Sequence, residues 1–361
     1  MNILTKITSV AGFLPKKVLT NFDMEKITET NHEWIFQRTG INKRHICENQ
    51  TSDMVFEVVK QCISPINQMK ADGLFLKNHP HDENFSYHEY ANNVNANKIV
   101  DAVPAQYNQI TQIDCLIVAT TTPDLTFPST ACIAQGKLKQ IGIEIGFAFD
   151  IQAVCAGFVY ALVVGDSFIK NGLCKNVLVV GADKLSSILN WNDRTTCVLF
   201  GDGAGAVLLN AKNDGESNLS NPSLYSDGSL VDLLKTSSGT GSNATSGHII
   251  MEGKEVFRHA VSKMSDSVST IIQKSGLSKD KINFVIAHQA NERILDGVAK
   301  KLEMHQTNFI KTVGLHANTS SASIPLALNH CLNNGLIARG NNIIFEALGG
   351  GLAWGGLLCK W

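Results

Sequence analysis

The chain has no long apolar run. None approaches the roughly 20 residues that a membrane-spanning helix requires. Residues Met1–Val10 alternate like a strand, with neither an apolar h-region nor a small-residue cleavage site, so no signal peptide is expected. An excess of charge of one sign is also missing. The 31 basic residues nearly balance the 32 acidic ones, which argues against a general nucleic-acid surface. Cysteine is present nine times, but no C-x-x-C pair occurs, the count is odd, and most cysteines lie in apolar segments. A zinc ribbon and a disulfide framework are therefore not expected, and a reducing compartment is. These absences lead us to expect a soluble, cytoplasmic protein. Its 361 residues suffice for a large core, as one domain or two intimate halves.

What is present begins with Cys155, in Asp150-Ile151-Gln152-Ala153-Val154-Cys155-Ala156-Gly157. An apolar run stops there and a long apolar-faced segment starts. The pattern predicts a strand, a tight turn and a buried helix, with the thiol at the positive end of the helix dipole. That position favours the thiolate, the nucleophilic form. The other eight cysteines are expected to pack as small hydrophobes. Three further segments supply what acyl chemistry needs: His288-Gln289-Ala290-Asn291 after the apolar run Asn283–Ala287, Gly314–Ser323 containing His316 and Asn318, and the glycine-rich Glu346–Gly351.

Short β-rich runs alternate with helical segments, which predicts an α/β fold with buried strands. Strands are expected at Ile113–Thr120, Phe147–Gln152, Val177–Ala182, Ala204–Leu209, Phe284–Ala287 and Asn342–Ala347. Helices are expected at Asp53–Ile63, Ser129–Leu138, Ala156–Lys170, Lys254–Lys274, Asn291–Leu302 and Ser321–Asn333. The polar stretch Ala211–Asn221 is the expected boundary between the halves, 1–211 and 212–361.

The chain resembles the β-ketoacyl-acyl carrier protein synthase III family of the thiolase-fold superfamily. The likeness runs nearly end to end: Gly12–Pro15, Glu33–Ile41, Cys155–Phe158, Phe200–Ala206, His288–Asn291, Asn318–Ser320 and Gly349–Gly355. It implies a five-layered α-β-α-β-α fold built from two similar halves. It implies decarboxylating Claisen condensation of an acyl-CoA primer with malonyl-acyl carrier protein, with CoA entering as a substrate thioester and no further cofactor or metal. Cys155, His288 and Asn318 match the catalytic triad, and the backbone N–H groups of Cys155 and Gly350 the oxyanion hole. Trp34, Arg38, Arg194, Gly253 and Asn291 match CoA contacts. Lys254 departs from the family, which has Asn there. Phe127 matches an aromatic that closes the partner subunit's acyl pocket, which implies a homodimer and favours short primers. Arg258, Arg293, Lys300 and Lys301 match basic positions for docking the acidic carrier protein. The glycine-rich turn has no second cysteine and the third catalytic position is Asn rather than His, which separates the chain from thiolases and elongating synthases. The same triad also serves enzymes of secondary metabolism and acyl transfer to oxygen or nitrogen, and a silent acyl-carrier-binding subunit is a third reading.

One segment departs from the resemblance. Roughly 40 extra residues stand within Ser64–Gln112, beyond an ordinary loop. The segment is rich in Asn, His, Tyr and Gln. His79, His81 and His88 cluster there with Asp82 and Glu83, but in no standard metal-ligand spacing. We expect a surface excursion with a helix of its own, peripheral to the chemistry, acting on access or partner choice through Phe85, Tyr87 and Tyr90.

Overall fold

The structure, a computed structural model, describes residues 3–76, 99–100, 107–108, 110–215, 217–243 and 246–361. Five strands form the first sheet: β1 (Leu4–Phe13), β2 (Gln112–Ala119), β3 (Glu144–Ile151), β4 (Asn176–Lys184) and β5 (Asp202–Lys212), in the order β1-β5-β4-β2-β3. Four form the second: β6 (Leu219–Ser226), β7 (Phe284–Ala287), β8 (Asn342–Gly349) and β9 (Ala353–Lys360), in the order β6-β9-β8-β7. In each half the first strand pairs antiparallel with the last, the last pairs antiparallel with the one before it, and that one runs parallel to its next neighbour. A parallel bridge from Val285 to Phe309 stands where the second half would carry a fifth strand.

Alternation along the strands explains the layering, because both faces are apolar. Val177 and Val179 of β4 point into one core cluster, Leu178 and Val180 into another. The main helices are α1 (His32–Thr39), α2 (Thr51–Cys62), α3 (Pro65–Ala71), α4 (Thr130–Lys139), α5 (Gly157–Lys170), α6 (Gly253–Ser275), α7 (Glu292–Leu302) and α8 (Ser323–Asn333). α5 and α8 lie between the sheets: Phe158, Leu162, Ala327 and Leu328 share a cluster with Val207 of the first sheet and Phe345 of the second. α2 and α4 cover the outer face of the first sheet through Val55, Val59, Ala131 and Leu138. α6 and α7 cover that of the second through Met264, Val268, Leu295 and Val298. The five layers are those of the thiolase fold.

The middle layer sits close to the sheet. A Cβ on Gly181 of β4 would overlap the carbonyl of Ser321, so only glycine allows that approach. The expected strands and helices are all present, with ends shifted by a few residues. The polar boundary stretch is narrower than expected: β5 continues through Lys212, paired with Leu4, and β6 starts at Leu219.

The base of the segment Ser64–Gln112 packs into the fold rather than leaving its surface. Its expected helix is α3, whose Met69 and Ala71 are fully buried. Asp72 then binds Arg339 (2.9 Å), Lys6 (3.3 Å) and Tyr107 (2.9 Å). Gln112 already belongs to β2. The apolar face of α3 and the Asp72 ion pairs fasten the segment's base to β1, and none of its described residues lines the cavities around Cys155. His79, His81, Asp82, Glu83, Phe85, Tyr87, His88 and Tyr90 lie outside the described residues.

Candidate active site

β3 delivers the chain to a single 3-10 turn, Val154–Ala156, and α5 begins at Gly157. Val154 has φ 49°, a left-handed value that costs a β-branched residue strain. The turn lies against the glycine-rich segment after β8. A Cβ on Gly349 would stand 2.6 Å from the Cys155 nitrogen and 2.9 Å from the Ala153 carbonyl oxygen, so glycine is required there. Gly350 is equally constrained, by the Leu234 carbonyl at 2.7 Å.

Cys155 is buried. Burial pushes its thiol up to about 12; the nearby Ser320 hydroxyl opposes the rise and the charge of Asp183 adds to it. This burial opposes the preference for the thiolate expected from the helix position. A helix terminus contributes at most about 2 kcal/mol, near one and a half pKa units, and desolvation outweighs it. Cys155 rests as a thiol.

His288 follows β7, and its backbone N–H donates to the Glu346 carbonyl at 2.8 Å, extending the parallel ladder. Its Nδ1 lies 2.7 Å from Ser323 Oγ at the start of α8. Burial lowers the imidazole to about 3, against a hydrogen bond with the Ser320 backbone that raises it, so the ring is neutral at physiological pH. Gln289 staples the motif in place. Its Nε2 donates to Ala287 O (2.7 Å) and Ile310 O (3.0 Å), and its Oε1 accepts from Thr312 N (2.7 Å).

Asn318 is fixed by its backbone to Leu199 (3.0 Å) and Gly201 (2.9 Å). Its Oδ1 accepts from the Ser320 N–H at 2.8 Å. The acceptor is thus occupied, and the Nδ2 donor remains for a ligand. Behind this loop, buried Asp183 accepts from Thr121 N (2.7 Å) and from Ser321 N (3.1 Å) and Oγ (2.6 Å), tying the loop to β2 and β4.

Cys155 borders two cavities. One, about 110 Å³, is lined by Cys155, His288 and Asn318 together with Gly253 and Asn291. The other, about 230 Å³, is lined by Cys155, Ser320, Gly350 and the apolar side chains of Leu185, Ile188, Phe200 and Ile249. A neutral hydrogen-bond donor, an uncharged imidazole and a thiol therefore meet in a desolvated space. That arrangement suits covalent acyl transfer and stabilisation of an enolate oxygen.

Trp34 stands outside the two linings, on α1. The guanidinium carbons of Arg38 and Arg194 lie 4.9 and 5.3 Å from its ring centroid. Asn291 Nδ2 donates to Arg38 O at 3.1 Å, which joins this cluster to the cavity mouth. Phe127 is 82% exposed and lines neither cavity. On α7, Ile294, Leu295, Val298 and Leu302 are buried and Arg293, Lys300 and Lys301 are exposed. Two of the four expected docking cations are already paired: Arg258 with Glu255 (2.7 Å) and Lys301 with Asp266 (3.0 Å). Arg293 and Lys300 make no ion pair among the described residues. Ser320, Ser323 and Asp183 were not anticipated from sequence. The run of serines after Asn318 was the available signal.

A profile described as 3-oxoacyl-[acyl-carrier-protein (ACP)] synthase III matches residues 149–228, and its C-terminal counterpart matches residues 272–361. The β-ketoacyl-[acyl-carrier-protein] synthase III of Ehrlichia canis is 43% identical over 356 residues, covering 98% of each chain. That of Chelativorans sp. is 40% identical over 365 residues, covering 99% of this chain and all of that protein. The crystal structure of the Aquifex aeolicus 3-oxoacyl-[acyl-carrier-protein] synthase III superposes with a TM-score of 0.80 at 38% identity, covering 99% of this chain and 100% of that one.

Proposed function

The chain belongs to the 3-oxoacyl-[acyl-carrier-protein] synthase III family, and from that premise we propose that it condenses a short acyl-CoA with malonyl-acyl carrier protein, opening fatty-acid synthesis. The observation that carries this reading is the shared lining of one cavity by Cys155, His288 and Asn318. In the first stage the Cys155 sulfur attacks the acyl-CoA carbonyl, the C–S bond to CoA breaks, and the thiol proton leaves with CoA. The backbone N–H groups of Cys155 and Gly350 are assigned to the oxyanion. In the second stage malonyl thioester loses CO2. The electron pair of the broken C–C bond becomes an enolate, whose oxygen accepts from Asn318 Nδ2 and His288. The enolate carbon attacks the acyl-Cys155 carbonyl, the new C–C bond replaces C–S, and Cys155 takes up one proton. The product is 3-oxoacyl-acyl carrier protein.

CoA is bound as substrate, with its adenine at Trp34, Arg38 and Arg194 and its pantetheine arm along Gly253 and Asn291. The apolar cavity of about 230 Å³ would take the acyl chain. We keep the division at 1–211 and 212–361, beside the end of the five-stranded sheet at Lys212 and ahead of the start of the four-stranded sheet at Leu219. We place the enzyme in the cytoplasm as a homodimer. Supporting this are nine free cysteines, the edge position of β3 and the exposed apolar side chains Leu125, Phe127 and Phe147, since an apolar sheet edge is a ready surface for symmetric pairing. Arg293 and Lys300 are the docking positions for an acidic carrier protein. No helix among the described residues is long and apolar enough to cross a membrane.

Intact mass after exposure to a panel of acyl-CoAs tests the first stage. We expect a single acyl adduct, largest for short primers. Absence of any adduct across the panel would overturn the reading.

A further inference from the structure

A cavity of about 470 Å³ shares no lining residue with the two beside Cys155. Lys43, His45, His316, His330 and three asparagines, Asn329, Asn333 and Asn334, supply its polar lining, and no acidic residue among the described residues contributes. Lys43 makes no ion pair among the described residues. His45 donates from Nδ1 to the Pro15 carbonyl at 2.6 Å, which leaves Nε2 for another partner. His316 is nine-tenths buried, and its Nδ1 meets no hydrogen-bond partner among the described residues. The His316 and His330 rings stand 6.2 Å apart, nearly perpendicular. Three imidazoles and an ammonium, from the strand Lys43–Ile46, the short helix Val313–His316 and α8, thus surround one space with no counter-charge among the described residues that line it.

We propose that this cavity binds a small phosphate-bearing anion, held by Lys43, His45, His316 and His330, and that its occupancy is transmitted to Asn318. A tetrahedral phosphate offers more acceptor positions than a carboxylate, which matches donors converging from several sides. Burial lowers the pKa of all three rings, with repulsion from Lys43 adding at His45 and from His330, His45 and Lys43 at His316, and a bound anion opposes that shift. The transmission path is two residues long. His316 is joined to Asn318 through Ala317, whose φ of 58° is left-handed. The His316 carbonyl packs so closely on Gly201 that a Cβ there would lie 2.9 Å away. Gly201 in turn donates to the Asn318 carbonyl. Movement of His316 therefore displaces the amide that we assign to the enolate.

The test titrates inorganic phosphate into the full chain and follows histidine ring resonances by NMR. The signals of His45, His316 and His330 should move together. Lys43→Met and His330→Gln should each weaken phosphate at least about tenfold, a change of about 1.4 kcal/mol. Excess CoA should not compete. Phosphate should also change the rate of malonyl-thioester decarboxylation but not Cys155 loading, and Lys43→Met should abolish that change. Unmoved rings, wild-type affinity in both variants, displacement by CoA, or equal binding of acetate would each overturn the site. An equal effect on both stages, or none, would overturn the coupling. Binding is read without turnover, so failure of the proposed catalysis is seen separately.

Discussion

At the scale of the residue, burial shifts Cys155 toward the thiol and away from the thiolate. Since its pKa is raised to about 12, the reactive fraction grows as pH rises. Acyl loading should increase about tenfold per pH unit through the neutral range, with no step near the ordinary histidine value, because His288 is held at about 3. Stopped-flow release of CoA measures this, and a plateau below pH 7 would contradict it. Asn318→Ala should spare loading and slow decarboxylation by about a hundred- to a thousandfold, the usual cost of one oxyanion donor. A variant that decarboxylates normally but fails to load would reverse the assignment. The proposed nucleophile and donors, Cys155, His288 and Asn318, could be singled out from sequence because they sit in short motifs at element ends; that they line one cavity is what the fold adds. The orientation of those side chains was not. Ser323 sets the imidazole and the Ser320 N–H occupies the Asn318 acceptor, and these contacts depend on how the loop before α8 turns.

At the scale of the element, the middle helical layer is held against the first sheet by glycines. Gly181→Ala would force a Cβ into the Ser321 carbonyl. We expect destabilisation of about 1–3 kcal/mol, read as a lowered melting temperature, together with loss of decarboxylation as the Asn318 loop shifts. An unchanged melting temperature would show that the layers can separate freely there. The regular strands were legible from their apolar runs. β6 and β9 were not: the start of β6 fell in the polar boundary stretch, and in β9 Gly355 and Gly356 lower the strand propensity. They are there because its register brings them against β6 and β8: a Cβ on Gly355 would overlap the Ser223 carbonyl, and one on Gly356 the Phe345 carbonyl. The base of the segment after α2 was also misread, since its short helix looks polar while Met69 and Ala71 turn inward. Replacing residues 77–106 by a short Gly-containing linker should preserve folding and Cys155 loading. Extending the deletion to Ser64 should not, because it removes those contacts and the Asp72–Arg339 pair. Circular dichroism with intact mass distinguishes the two outcomes, and a fully stable larger deletion would contradict the anchoring.

At the scale of the whole molecule, two sheets with one shared helical layer put the turn after β3, the end of β7 and the loop before α8 at one place. No single segment holds the site, which is why composition and periodicity alone gave only an α/β class. A homodimer would bring Phe127 out of solvent and into the partner's acyl cavity. Sedimentation should give a dimer, and a fully active monomer would refute that arrangement. One measurement reaches the second-stage chemistry directly. The protein is loaded with acetyl-CoA, freed of excess, and mixed with malonyl-acyl carrier protein; the carrier's mass and released CO2 are then followed together. We predict equal amounts of CO2 and acetoacetyl-carrier protein, with Cys155 returned to its free thiol. Acyl transfer to the carrier without CO2, or an acyl group that stays on the enzyme, would contradict the account.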